Sequence, residues 1–219
     1  MAMSEASAAW LDEHYAAPQT LVNIGRRRRF NLVIAGKGEP TVILAPGLNA
    51  TALSWSSVQH ALAPRNRTVA FDKAGMGFSD PGPLPRTAST TVEDLRRALK
   101  AAGVTPPYVL AGHSAGGLYM RLFAFRYPKE VVGLLMVDSS NEHQYRRFGE
   151  ALGDHSDLTT RRSFLATYSR LARLARAGGL TPGTPDYSRA VGSVSSIATP
   201  ALQTAHVARR TSAGFWRAL

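Results

Sequence analysis

The chain has 219 residues, of which 44% are hydrophobic and none is cysteine, and its formal net charge is +11. This length favours one domain with an insertion, and the lack of cysteine excludes disulfides and thiolate metal sites. The N-terminus lacks the features of a signal peptide, and no apolar run is long enough to span a membrane. We therefore expect a cytoplasmic protein.

The basic charge first suggests a nucleic-acid binder, since the sequence pI is about 10.7. The only dense basic run, however, is residues 26–29, and four of the 26 basic residues are lysine. This bias towards arginine, without a basic motif, does not favour binding to nucleic acid. The run itself is predicted to lie at a hairpin, as a solvated edge that discourages strand pairing.

The apolar pattern predicts strands that alternate with helices. Continuous apolar runs of this length are typical of strands covered on both faces. The strands are predicted at 41–45, 67–71, 108–111 and 131–137, after two short strands within 21–34, and the helices at 91–102 and 115–127. A capping box is predicted at Thr90 and Glu93. This order indicates a doubly wound α/β sheet, with a polar lead-in at 1–19.

A candidate nucleophile lies between the third of these apolar runs and the helix that follows it. The sequence GHSAG at 112–116 has the form G-x-S-x-G, which places Ser114 on a tight turn in an unusual backbone conformation. Such a turn leaves no room for side chains at Gly112 and Gly116, and the helix N-terminus stabilises negative charge. A glycine-rich turn that only packs is the alternative. His113 is predicted to be packed away from the serine.

Two backbone N–H groups are predicted to form an oxyanion hole beside this serine. One belongs to Ala115, the residue after the nucleophile, and the other comes from the loop after the 41–45 strand. Within that loop Leu48 is the preferred donor and Asn49 the second choice, because Gly47 lets the backbone turn sharply before them. An ordinary turn without this role is the alternative.

Three ordered blocks, APGL at 45–48, FDKAGMGFS at 71–79 and GHSAGG at 112–117, resemble the α/β-hydrolase fold family. The resemblance is to its single-domain branch, which has a serine nucleophile and a helical cap, and it continues into 137–142. It implies an α/β fold with a mostly parallel central sheet flanked by helices. It also implies hydrolysis of small esters or amides through an acyl-enzyme, without metal or organic cofactor. In this family Asp72 is expected to have a structural role.

The chain departs from the family pattern after residue 143. Members place an acid after a later strand and a histidine near the C-terminus, whereas residues 141–219 resemble the helical cap, with helices predicted at 163–177 and 205–219 and a loop at 178–185. We therefore expect a core at 1–140, a cap at 141–219, no last sheet strands, and a chain that is C-terminally incomplete as a catalyst.

Asp138, at the end of the strand after the elbow, is a possible acid, although a residue that caps the following turn is the alternative. His143, His155 and His206 follow it in the expected order, but each is interpreted as a surface or cap histidine. We expect no histidine nitrogen within reach of Ser114.

The competing hypothesis is a non-catalytic binding protein or inactive fragment. The sequence does not predict the oligomeric state.

Overall fold

A computed structural model describes residues 4–144, 147, 156–191 and 199–211 of the chain. Its strands are β1 (Thr20–Asn23), β2 (Arg29–Ala35), β3 (Thr41–Ala45), β4 (Thr68–Phe71), β5 (Tyr108–His113) and β6 (Val131–Val137). Its α-helices are α1 (Glu5–Tyr15), α2 (Ser56–Leu62), α3 (Ala88–Ala101), α4 (Ala115–Arg126), α5 (Ser156–Arg176), α6 (Pro185–Val191) and α7 (Pro200–Arg210). Short 3-10 turns precede α2 and β6.

The six strands form one sheet in the order β1-β2-β4-β3-β5-β6. The β1–β2 and β2–β4 pairs are antiparallel, and the β4–β3, β3–β5 and β5–β6 pairs are parallel. The prediction of a mostly parallel sheet flanked by helices is therefore confirmed. The carboxyl ends of the four parallel strands meet at one edge, where α/β folds place their ligand sites.

The central strands read as continuous apolar runs because helices cover both faces of the sheet. All four residues of β4 are buried. Val69 and Phe71 pack into the cluster that contains the apolar faces of α3 and α4. Ala70, which lies between them on the strand, packs in a second cluster with Leu11 of α1 and Trp55. Successive side chains of a strand point to opposite faces of the sheet, so this one short strand contributes to the hydrophobic clusters on both faces.

The N-terminal segment is the largest departure from the predicted elements. Residues 5–15 form α1 rather than a polar lead-in, and Ser4 caps the helix by accepting a hydrogen bond from the Ser7 N–H at 3.2 Å. Only Leu11 and Tyr15 of this helix are buried. Such a narrow apolar stripe gives little periodic signal in the sequence, and packing against the sheet stabilises the helix instead.

The arginine run forms the β1–β2 turn, but one of its side chains is not solvated. Arg26 and Arg27 adopt φ values of 54° and 56°. The Arg28 guanidinium donates to both carboxylate oxygens of Asp94, at 2.6 and 3.1 Å, in a largely buried ion pair. The prediction of a solvated run is therefore wrong for Arg28, because α3 brings a carboxylate to the hairpin.

Helix α3 begins earlier than predicted, since its capping box is formed by Thr87 and Thr90 rather than by Thr90 and Glu93. The Thr90 N–H donates to the Thr87 hydroxyl at 3.2 Å, and the Thr87 N–H donates to the Thr90 hydroxyl at 3.0 Å. Threonine replaces the glutamate of the usual box as the side chain that reaches back.

Strand β6 lies at the end of the sheet and pairs with β5 alone. In the part of the chain that the structure describes, no strand follows it. Apolar side chains are consequently exposed on it, with Val132 64% and Leu135 56% accessible. Phe125 of α4, 84% accessible, adds to this apolar exposure.

Helices α5 to α7 pack against loops at the carboxyl edge of the sheet. Met76, in the loop after β4, packs with Leu171 of α5 and Ala190 of α6. Helix α6 occupies part of a region without a predicted helix, and α7 begins before the predicted 205–219 segment. Leu202 of α7 packs with Leu11 of α1. No described helix combines the length and apolar character needed to cross a bilayer.

Candidate active site

Ser114 adopts the unusual backbone conformation that the sequence predicted, with φ 52° and ψ −125° between β5 and α4. Its N–H donates to the Val137 carbonyl at 3.2 Å, and its own carbonyl accepts from the N–H groups of Gly117 and Ser140, both at 3.0 Å. A non-glycine residue persists in such a conformation only where its surroundings hold it. Three backbone hydrogen bonds provide that restraint here.

Close backbone approaches explain the glycines of the elbow. A Cβ on Gly112 would lie 2.6 Å from the Gly116 carbonyl carbon, and one on Gly116 would lie 2.3 Å from the Ala45 carbonyl oxygen. Both positions were expected to exclude side chains. Gly117 has the same constraint, because a Cβ there would lie 1.8 Å from the Ser139 hydroxyl oxygen. The strand, turn and helix thus contact one another directly through their backbones.

The Ser114 hydroxyl lies at the N-terminus of α4 and is half-buried. Within the described residues it forms no hydrogen bond with another protein atom. His113 is exposed, so the prediction that it is packed is wrong. A Cβ on Gly47 would lie 3.3 Å from both the Ser114 Cβ and the His113 Nδ1, so the loop after β3 lies directly against the nucleophile.

The two predicted oxyanion donors lie on the segments that adjoin Ser114. Leu48 follows Gly47 in the loop after β3, and Ala115 is the first residue of α4. Among the described atoms, neither backbone N–H has a protein acceptor, which leaves both free to bind a ligand oxygen. Their convergence on one point stays a prediction.

Asn49, the second-choice donor, has its side-chain amide bonded to the hydroxyl of Tyr168 in α5. Its carbonyl accepts a hydrogen bond from Arg210 of α7 at 2.6 Å. Two of the C-terminal helices therefore hold the loop beside the nucleophile. These contacts involve the side chain and the carbonyl of Asn49, so its backbone N–H as the second-choice donor stays a prediction.

Lys73 is a residue of this site that the sequence analysis missed. It is buried, and its ammonium donates to the carbonyl oxygens of Gly47 at 2.6 Å and Ala50 at 2.9 Å. Burial lowers its pKa to about 7, against the opposing effect of the Asp72 carboxylate. Its position two residues after a buried strand, in a chain with few lysines, was the available signal.

Asp72 holds the loops of this edge together, in agreement with the structural role expected for it. Its buried carboxylate accepts hydrogen bonds from the Ala52 N–H at 2.9 Å, the Asn31 amide at 2.9 Å and the Phe78 N–H at 3.0 Å. Gly77 has φ 52°, and a Cβ there would lie 2.1 Å from the Asp72 Cγ. The turn therefore closes tightly over the carboxylate.

Asp138 lies directly after β6, at the same sheet edge as Ser114, since His113 and Val137 are paired in register. It is exposed and has φ 42°. Its carboxylate forms no hydrogen bond or ion pair with any other described residue. Asp138 thus lies at the sheet edge of Ser114, and no histidine among the described residues is hydrogen-bonded to it.

The candidate histidines lie elsewhere, as far as the structure describes them. His143 is exposed. The His206 Nε2 lies 2.9 Å from the Val191 carbonyl oxygen, and burial lowers the pKa of this ring. His155 lies outside the described residues. The described part of the chain also contains no group of three or more His, Asp or Glu side chains that could hold a metal ion.

Comparison with known proteins identifies a family match over the segment that contains Ser114. The family model for the alpha/beta hydrolase fold matches residues 40–177. A protein of Gibberella zeae named AB hydrolase superfamily protein is 32% identical over 148 residues, which are 63% of this chain and 46% of that protein. The chain spans only 20–46% of the lengths of three curated relatives that it matches.

Two solved structures extend the comparison. The crystal structure of ALR0039 from Nostoc sp PCC 7120, named "a putative alpha/beta hydrolase", matches with a TM-score of 0.70 at 21% identity, over 91% of this chain and 69% of that one. A membrane phospholipase A matches with a TM-score of 0.54 at 27% identity, over 62% of this chain and 44% of that one. The first likeness concerns the fold alone.

Proposed function

This chain belongs to the alpha/beta hydrolase fold family, and from that premise we propose that it is a serine hydrolase of small esters or amides with Ser114 as its nucleophile. The observation that carries the proposal is the strained Ser114 backbone, held between β5 and α4 by three hydrogen bonds. Packing alone does not require a hydroxyl at such a turn, whereas a nucleophile elbow does.

In the proposed reaction the Ser114 oxygen attacks the carbonyl carbon of the substrate and loses its proton to a general base. The carbonyl oxygen becomes an oxyanion, which the free N–H groups of Leu48 and Ala115 stabilise by hydrogen bonds. Collapse expels the alcohol or amine with a proton and leaves an acyl-enzyme, which water then hydrolyses. The phospholipase A among the structural matches, an ester hydrolase by its name, supports this substrate class.

Asp138 is our candidate for the acid, because it follows β6 at the edge that presents Ser114. No histidine nitrogen in the described part of the chain is hydrogen-bonded to the serine hydroxyl. We therefore expect weak or no turnover from this chain alone. Residues 141–219 are proposed to act as a cap over the site, supported by the contacts of α5 and α7 with Asn49.

A fluorophosphonate probe tests the proposal, because it reacts only with an activated serine. We expect slow labelling of the wild-type chain at Ser114, identified by peptide mass, and no labelling of folded Ser114→Ala. Ser139→Ala is the matched control, because this serine lies beside the elbow without being the predicted nucleophile. Labelling that persists in Ser114→Ala would refute the assignment.

The second candidate function is a non-catalytic binding protein that retains the fold. It is favoured by the Ser114 hydroxyl, which has no hydrogen-bond partner among the residues that the structure describes, since an activated serine normally donates to a base. A folded wild-type chain that takes no label over hours at high probe concentration would support this alternative. Replacing His143, His155 and His206 one at a time by Gln in a chain that does label would identify any histidine that acts as the base.

A further inference from the structure

The loop beside Ser114 is held by a buried cation, which neither the motif nor the reaction scheme explains. Lys73 is 6% accessible, and its ammonium donates to the carbonyl oxygens of Gly47 at 2.6 Å and Ala50 at 2.9 Å. A buried lysine costs free energy unless its charge has compensating partners. Its placement against this loop therefore needs a reason beyond packing.

The reason follows from the geometry of one peptide group. The Gly47 carbonyl belongs to the same peptide unit as the Leu48 N–H, and this unit is not among the cis peptide bonds of the chain. In a trans peptide the C=O and N–H point in opposite directions. A cation bound to the Gly47 oxygen thus fixes the direction of the Leu48 N–H on the other side.

The same contact polarises that peptide. A charge-assisted hydrogen bond at the carbonyl oxygen draws electron density from the N–H, which makes it a stronger donor. The peptide also lies against the nucleophile, because a Cβ on Gly47 would lie 3.3 Å from the Ser114 Cβ. Both effects therefore act where the oxyanion of the proposed reaction would form.

We propose that Lys73 is a positioning residue for oxyanion stabilisation, acting through the peptide between Gly47 and Leu48. The inference rests on the proposed function of Ser114, and it adds the group that orients and polarises one of its donors. Lys73 does not touch the substrate in this scheme. Its charge reaches the oxyanion through one peptide unit.

Other titratable and charged groups face the same region. The Asp72 carboxylate is adjacent to Lys73 in the chain and favours its charged form. Arg86 and Tyr119 line a cavity of about 90 Å³ together with Lys73. His113 lies next to Gly47 on another side of the loop. His206 and Arg210 of α7 lie beside the loop near Asn49 and Ala50.

Nuclear magnetic resonance can test the coupling without any enzymatic activity. The ¹⁵N and amide-proton shifts of Leu48 should titrate in the wild-type chain with a midpoint near pH 7, as Lys73 loses its proton. Lys73→Met should abolish this titration, while Lys100→Met, which removes an exposed lysine, should leave it unchanged. His113→Gln and His206→Gln should also leave the titration unchanged. This result would assign the titration of the Leu48 amide to Lys73 rather than to a nearby histidine.

The fluorophosphonate reaction provides the second readout, because its transition state places negative charge on an oxygen in the same hole. Lys73→Met should slow the labelling of Ser114 by about tenfold, less than the loss of an entire oxyanion donor. Lys73→Arg, which keeps a cation, should recover part of the rate. A merely structural lysine would change the stability without producing the Leu48 titration.

The outcomes separate the two proposals. A Leu48 amide whose shifts do not change at the pH where the Lys73 ammonium itself loses its proton in the wild-type chain overturns the role of Lys73, whether or not Lys73→Met folds. A labelling rate that Lys73→Met leaves unchanged in a folded variant overturns it as well. A Leu48 amide that follows Lys73 in a chain that takes no label supports the coupling and counts against the hydrolase proposal.

Discussion

Raising the pH from neutral should stabilise this protein, because one lysine is buried in the folded state and exposed in the unfolded one. Burial lowers the pKa of Lys73 from 10.5 to about 7. Between these two values the unfolded chain binds a proton that the folded chain does not. Stability rises with pH wherever the unfolded state binds more protons, so the free energy of unfolding should increase through this window.

The magnitude follows from the same two pKa values. One pKa unit corresponds to about 1.4 kcal/mol, and the linkage integrated from pH 6.5 to pH 9.5 gives a gain of about 3 kcal/mol. Other groups act outside this range. Burial raises the pKa of Tyr108 to about 12, so its contribution declines only above about pH 10, where the unfolded tyrosine ionises. Burial lowers the pKa of His206 below its usual 6.5, so its contribution changes mostly below pH 6.5 and adds only a little at the start of this range.

Urea unfolding at constant ionic strength, repeated across this pH range, measures the effect. The wild-type chain should gain stability with a slope that approaches 1.4 kcal/mol per pH unit between about pH 8 and pH 9. Lys73→Met should lose nearly all of this slope. Lys100→Met is the control and should keep the wild-type slope. A wild-type stability that is flat or falls between pH 7 and pH 9.5 would refute the argument.

Three further perturbations test the packing around the site. Gly116→Ala should destabilise the fold by about 2 kcal/mol or more in thermal or chemical unfolding, because the added Cβ would lie 2.3 Å from the Ala45 carbonyl oxygen; an unchanged stability would contradict the close approach. Arg28→Ala should cost about 3 kcal/mol by leaving a buried carboxylate of α3 with one fewer partner. Arg26→Ala, from the same turn, should stay within about 0.5 kcal/mol, and equal losses in the two variants would disprove the distinction. Val132→Lys should reduce concentration-dependent self-association in sedimentation experiments, since it adds charge to the exposed edge of β6; wild-type protein that stays monomeric at high concentration would contradict this expectation.

The parts of the fold that the sequence predicts are those with local causes. The strand, the elbow and α4 follow one another within a short stretch, and Gly112 and Gly116 indicate from the sequence alone the close backbone approach that the structure has. Strands β3 and β6 have the predicted bounds, but only β3 has the covered environment that a continuous apolar run indicates, since most residues of β6 are exposed.

The parts that were missed depend on contacts between distant segments. The Arg28–Asp94 pair joins residues far apart in the chain, and no local pattern marks arginine as buried. Lys73 is similar, because its partners are backbone carbonyls, which every residue carries. The helix α1 has only two buried side chains, so its stability depends on a surface that the sequence pattern does not reveal.

The docking of α7 against α1 has a consequence for the order in which the molecule is completed. Thr199 is hydrogen-bonded to Asp12, and Leu202 packs beside Leu11, so segments from opposite ends of the described chain meet. Arg210 of the same helix binds the Asn49 carbonyl. During synthesis α1 can pack against the sheet first, but its contacts with α7 form only after residues 187 positions later have been made. Until they emerge from the ribosome, the sheet and elbow can form while the loop beside the nucleophile lacks its last support.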